Sequence, residues 1–179
     1  MRIRITLLMA LLLAVLLVLI FAVPAVADSR DPNTRLERQI RHELIMLPHY
    51  GVFDDLSFKV DGANVTLLGQ VTRPSLRMDA EQVVRSMEGV ASIENRIEVL
   101  PLSSADDRIR RAVYNAIYRD EILYQYSLMA VPPIHILVKN GHVTLEGTVG
   151  SIIDKSVART RAYAVSNVFS VTDNLRLEP

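Results

Sequence analysis

The sequence predicts an α+β protein made of two tandem αββαβ copies, each a three-stranded sheet with two helices on one face. Three observations predict it. Val65-Thr66-Leu67-Leu68-Gly69-Gln70-Val71 returns 78 positions later as Val143-Thr144-Leu145-Glu146-Gly147-Thr148-Val149. Each of these runs follows a two-residue turn signal, Gly62-Ala63 or Asn140-Gly141, with an alternating apolar run before it. Apolar stripes at helical spacing stand before and after each hairpin. The same offset pairs Arg77 with Lys155, Ala80 with Ala158, Val90 with Val168, Ser92 with Ser170 and Ile97 with Leu175. A register that runs without a gap from strand through helix to strand marks one duplicated structural element.

The first copy opens with a helix. Asp31-Pro32 reads as an N-cap followed by a first-turn proline, and Thr34 to Glu37 offers a capping box. Leu36, Ile40, Leu44 and Leu47 mark its apolar face. The second copy opens at Ser104 with Asp106 and Asp107 in the first turn, where the helix dipole favours acids, and its stripe is Ile109, Val113, Ala116 and Ile117. These helices align at an offset of 73, so five extra residues precede the second copy's first strand.

The hairpins come next, Leu56–Val60 with Val65–Val71 and Ile134–Val138 with Val143–Val149. Gly62 in the first turn position asks for type II′, and Asn140-Gly141 asks for type I′. Gly69 and Gly147 fall inside strands, where glycine weakens the strand unless another backbone must come close. We expect a helix to lie against the sheet there. The second helices, Pro74–Met87 and Ser151–Val165, carry the stripes Leu76, Ala80, Val83, Val84, Met87 and Ile153, Val157, Ala158, Ala162, Val165. The closing strands hold Ile93, Ile97, Val99 and Val171, Leu175, Leu177. Asn95 and Asp173 occupy corresponding inward positions, where a polar group ordinarily ties down a neighbouring backbone.

Residues 1–27 stand outside this pattern. Arg2 and Arg4 precede an apolar run from Ile5 to Val23, and Pro24 then leads into Ala25-Val26-Ala27, the small-x-small pattern of a cleaved signal peptide. The run approaches the length of a membrane span, so a retained anchor is the alternative. The expected location is periplasmic, free or membrane-associated, with domains at 28–101 and 102–179. There is no cysteine, hence no lipidation site and no disulfide framework. Without residues 1–27 the chain carries 18 basic and 20 acidic residues, which argues against general nucleic-acid binding.

With these residues in place, each copy resembles a BON domain. The matching letters are Val60-Asp61-Gly62 through Val65-Thr66-Leu67, Gly69 and Val71, then Ala80, then Gly89-Val90, Ile93, Asn95 and Ile97. In the second copy they are Asn140-Gly141, Val143-Thr144-Leu145, Gly147, Val149, Ala158, Val168, Val171, Asp173 and Leu175. Asn167 stands where the first copy has Gly89, Asp173 where it has Asn95, and Val131-Pro132-Pro133 belongs to an insertion. The resemblance implies a non-catalytic protein of the bacterial envelope that binds phospholipid or other envelope surfaces and serves envelope integrity or osmotic-stress tolerance.

The residues themselves offer little chemistry. His42, His49, His135 and His142 form no metal-ligand pattern, no nucleophile elbow surrounds a serine, and the glycines form no phosphate loop, so no metal, cofactor or catalytic residue is expected. No Gly-x-x-Gly loop of the RNA-binding KH kind lies between helices. The informative difference between the copies is aromatic: Arg110, Tyr114, Tyr118 and Ile122 form a ridge at i, i+4 spacing, with Arg111, Tyr124 and Tyr126 beside it. The aligned residues of the first copy are Glu37, Arg41 and Ile45. One reading packs the tyrosines between the copies or under the proline-rich insertion. The other makes Arg110 to Met129 a contact for anionic phospholipid, tyrosine at the headgroup boundary and arginine on phosphate. An envelope protein partner is the remaining occupant.

Overall fold

The computed structural model describes residues 32–178. The expected signal segment, residues 1–27, and the expected Asp31 cap lie outside the described residues. In chain order the elements are α1 (Pro32–Ile45), β1 (Asp55–Asp61), β2 (Asn64–Val71), α2 (Pro74–Arg85), β3 (Ser92–Asn95), β4 (Glu98–Val99), α3 (Ser104–Tyr118), a 3-10 turn (Tyr124–Leu128), β5 (Ile134–Lys139), β6 (His142–Val149), α4 (Ile152–Tyr163), β7 (Ser170–Asp173) and β8 (Arg176–Leu177). The order helix, strand, strand, helix, strand therefore occurs twice, with each closing strand broken into two short pieces.

Each sheet is mixed. β1 runs antiparallel to β2, while β3 and β4 both run parallel to β2. β5, β6, β7 and β8 repeat the arrangement. The break between the pieces is held by the residue that sequence reading placed on the inward face. Asn95 Oδ1 accepts from the Ile97 amide at 3.1 Å, and its Nδ2 donates to the Arg77 carbonyl at 3.1 Å and to Glu81 Oε2 at 3.0 Å. Asp173 Oδ1 accepts from the Leu175 amide at 3.1 Å, but a carboxylate has no N–H to donate. Lys155 compensates: its Nζ stands 3.7 Å from Asp173 Oδ1 and donates to the Leu175 carbonyl at 2.5 Å.

The turns follow the residues they contain. Gly62 takes φ +58° while Ala63 does not turn positive, as type II′ requires; Asn140 and Gly141 take +53° and +78°, as type I′ requires. The strand glycines correct our expectation. A Cβ on Gly69 would press into the carbonyl of Asp55, and one on Gly147 into the carbonyl of Pro133. Their φ values are +115° and +116°. The close neighbour is the backbone at the start of the partner strand, not a helix.

Each copy has its own core. Leu36, Ile40 and Leu44 of α1 and Leu76, Ala80 and Val84 of α2 cover Val65, Leu67 and Val71. In the second copy Ile109, Val113 and Ile117 of α3 and Ala158 and Ala162 of α4 cover Val143, Leu145 and Val149. The stripe assigned to α4 needs correction at one place. Ile153 is largely exposed, and Asp154 is buried in the position where α2 carries Leu76. That carboxylate is reached by the Tyr126 hydroxyl at 2.7 Å.

The copies are packed together. Residues 46–54 of the first copy lay Val52 and Phe53 against the second core. The Val52 carbonyl accepts from the Ile136 amide at 2.8 Å, which covers part of the edge of β5. Phe53 meets Tyr114 edge-on at 6.1 Å between ring centroids, and Lys139 bridges to Glu98 at 2.5 Å. Ile134 to Val138 are consequently buried on both faces of their strand.

Candidate functional site

The structure divides the aromatic-basic ridge. Arg110 is 5% exposed; its guanidinium pairs with Asp107 at 2.5 Å and donates to the Val138 carbonyl at 2.7 Å. Tyr118 is 2% exposed; it donates to the Ile134 carbonyl at 2.7 Å and accepts from the Ile134 amide at 3.1 Å. Burial pushes its phenol up, beyond what the Ile134 amide offsets by donating to the oxygen. Tyr126 is 5% exposed, donating to Asp154 and accepting from the Gly150 amide at 2.8 Å. These three side chains turn into the second copy, where a membrane surface does not reach. That corrects the binding role expected of them: their polar tips hold the β5 backbone at Val138 and Ile134 and the Gly150 amide ahead of α4. Tyr114 is half-buried between Phe53 and Tyr118. Arg111, Ile122 and Tyr124 do face solvent.

Two bonds fix where the exposed members lie. Arg161, in the last turn of α4, donates to Asp120 at 2.6 Å. Tyr126 reaches Asp154 in the first turn of the same helix. The segment between Asp120 and Tyr126 therefore runs along α4 like a strap, from its end back to its start. Large apolar side chains stand exposed on both: Ile122, Tyr124, Leu128 and Met129 in and just after the strap, Ile152, Ile153 and Tyr163 on α4.

The outer surface of α4 is apolar, aromatic and basic. Ile152, Ser156, Arg159 and Tyr163 follow one ridge at i, i+4, i+7 and i+11, all exposed. The one acid in the helix is the buried Asp154. Its counterpart α2 has Pro74, Ser75, Glu81 and Arg85 where α4 has Ile152, Ile153, Arg159 and Tyr163. Sequence reading overlooked this ridge because it compared the copies at their first helices. The same comparison at the 78-residue offset marks it.

A concavity of about 370 Å³ lies between the copies, lined among others by Arg41, Tyr50, Asp55, Phe58, His135 and Arg176. Burial pushes the Asp55 carboxyl up against the opposing pull of Arg176, and pushes the Tyr50 phenol up as well. Among the described residues no three or more His, Asp or Glu side chains converge as metal ligands. No helix among them is long and apolar enough to cross a membrane.

The BON domain family matches residues 32–101 and 105–179. The chain belongs to the BON domain family. Each of the two matched stretches contains one αββαβ copy, so the copies are BON domains in tandem. The chain is also similar to osmotically-inducible protein Y of Escherichia coli (strain K12), 31% identical over 127 residues, which is 68% of this chain and 61% of that protein. It thus spans about three-fifths of that relative's length. Among solved structures it is similar to the C-terminal domain of CdsD, a structural protein of the type III secretion system of Chlamydia trachomatis. That likeness has a TM-score of 0.34 and 12% identity, and covers 85% of this chain and 100% of the other. A second CdsD structure gives 0.33 and 10%, covering 82% and 64%. At such scores neither likeness carries an argument about the BON pair.

Proposed function

We propose that this tandem BON protein is a non-enzymatic, exported component of the bacterial envelope that contacts anionic phospholipid through α4 and the strap of its second BON domain, in support of envelope integrity under osmotic stress. One observation carries the reading: α4 exposes Ile152, Ile153 and Tyr163 together with Arg159, and exposes no acid. Apolar side chains enter the headgroup boundary while basic side chains meet phosphate, which is how an interfacial helix binds. Long basic stems also cover apolar surface while their charge stays wet. The first BON domain opposes this chemistry with Asp79 and Glu81 on α2. The osmotic part of the reading is supported by the name of the Escherichia coli relative, an osmotically-inducible protein.

Co-sedimentation with phosphatidylglycerol-containing vesicles tests it. A variant combining Ile152→Ser, Ile153→Ser and Arg159→Glu is expected to bind at least about tenfold more weakly than the unaltered chain, with each lost cationic contact contributing about 1 kcal/mol. Binding should weaken with added salt, since exposed charge pairs are screened. Undiminished binding by the variant contradicts the assignment. Absence of vesicle binding, with capture of one stoichiometric envelope protein that survives high salt, would replace it with an adaptor role.

A further inference from the structure

We propose that His135 makes the docking of the two BON domains acid-labile, its protonation releasing residues 46–54 of the first domain from the edge of β5 in the second. The imidazole stands on the face of β5 opposite Ile134, Ile136 and Val138, and residues 46–54 fold over it. The residue is 9% exposed, and its ring lies 5.6 Å from the Tyr50 ring, tilted by 34°. Nε2 is 3.5 Å from the Tyr50 hydroxyl, and Nδ1 is buried with no hydrogen-bond partner. One residue along, the Ile136 amide donates to the Val52 carbonyl, so the ring sits beside the backbone link between the domains.

An uncharged imidazole tolerates this place; an imidazolium brings two N–H donors and a charge into it. From the loop the ring is faced by Tyr50 and Asp54. Asp54 is already engaged, accepting from the Thr72 amide at 2.6 Å, the Thr72 hydroxyl at 2.8 Å and the Gly51 amide at 3.2 Å. On β6, Glu146 is the cross-strand partner of His135 and accepts from Asn174. Arg41 of α1, Asp55 of β1 and Arg176 of β8 line the same cleft. Burial lowers the imidazole pKa, and the carbonyls of Gly51 and Asp54 with the charges of Asp54 and Glu146 offset this only in part.

The sign follows. The docked ring binds a proton less readily than the released, hydrated ring, whose ordinary value is 6.5. Docking is therefore at full strength above pH 6.5 and weakens as the pH falls below it, by up to tenfold per unit until the docked value is reached. Asp55, pushed up from 3.8 by burial, acts in the opposite sense.

Amide exchange on the whole chain, corrected for its intrinsic pH dependence, reads the effect at Ile136. Between about pH 7.5 and 5.5 we expect protection there to fall roughly tenfold, with Leu67 in the core of the first domain unchanged and the loss absent in His135→Gln. Equal protection of Ile136 at both values overturns the proposal, as does the same loss in His135→Gln. Should that variant not fold, the His135 ring resonances in the unaltered chain decide: titration below the ordinary imidazole value of 6.5 supports the latch, and titration at or above it rejects it.

Discussion

Replacing Gly147 with valine is expected to lower the melting temperature of the chain by roughly 6–12 °C, a loss of about 3 kcal/mol at about two to four degrees per kcal/mol for a chain this size. Two effects add. The residue holds φ +116°, a conformation that L side chains rarely adopt. A strained backbone of this kind costs about 1–3 kcal/mol by itself. The new Cβ would also lie 3.1 Å from the Pro133 carbonyl carbon and closer still to its oxygen, and a backbone carbonyl cannot rotate away as a side chain can. Relief requires the Pro133 end of β5 to move, which disturbs the Tyr118 bonds to Ile134. Alanine should already show most of the loss, because the clash begins at Cβ. Gly51→Ala is the control: nothing lies within 4 Å of its Cβ position and its φ is not positive. Thermal melts of the three variants check this; a Gly147→Val chain melting within about 3 °C of the unaltered one contradicts the geometry.

Tyr126→Phe is expected to cost about 2–4 kcal/mol, because it leaves a buried carboxylate and a backbone amide without their shared partner. Asp154 occupies a helix position that the first BON domain fills with Leu76. Its burial is tolerable because the Tyr126 hydroxyl, supplied by the longer segment before β5, donates to it while accepting from Gly150. The pair acts as one unit. Adding Asp154→Leu to Tyr126→Phe should therefore recover most of the loss, whereas changes at independent sites would simply add. Urea unfolding of the two single variants and the double variant measures this. A double variant no more stable than Tyr126→Phe would show that the two side chains do not depend on each other.

The fold was legible because its letters encode backbone geometry. Gly62 and Asn140-Gly141 state their turn types, and Asn95 and Asp173 announce a backbone that needs holding. Helix stripes such as Leu36, Ile40 and Leu44 name the core directly. The binding surface was less legible, for a physical reason. Arginine and tyrosine at i, i+4 spacing look alike whether their polar tips meet water or a buried carbonyl, and spacing says nothing about what stands opposite. Arg110 meets Val138 and Tyr118 meets Ile134, both far along the chain. The α4 stripe was misplaced by one residue because a core position held aspartate, whose partner lies 28 residues away. Gly69 and Gly147 declared a close approach without declaring its partner, which only the strand register supplies.

The central claim is that recognition belongs to a surface found only on the second BON domain, while the letters shared by both domains serve architecture. Amide and side-chain NMR of residues 28–179, titrated with phosphatidylglycerol-containing micelles, tests it most directly. The account predicts shifts concentrated at Ile152, Ile153, Arg159, Tyr163, Tyr124 and Met129, with Arg77, Glu81 and Arg85 of α2 unmoved. Shifts centred on α2 of the first domain, or spread equally over both domains, would contradict it.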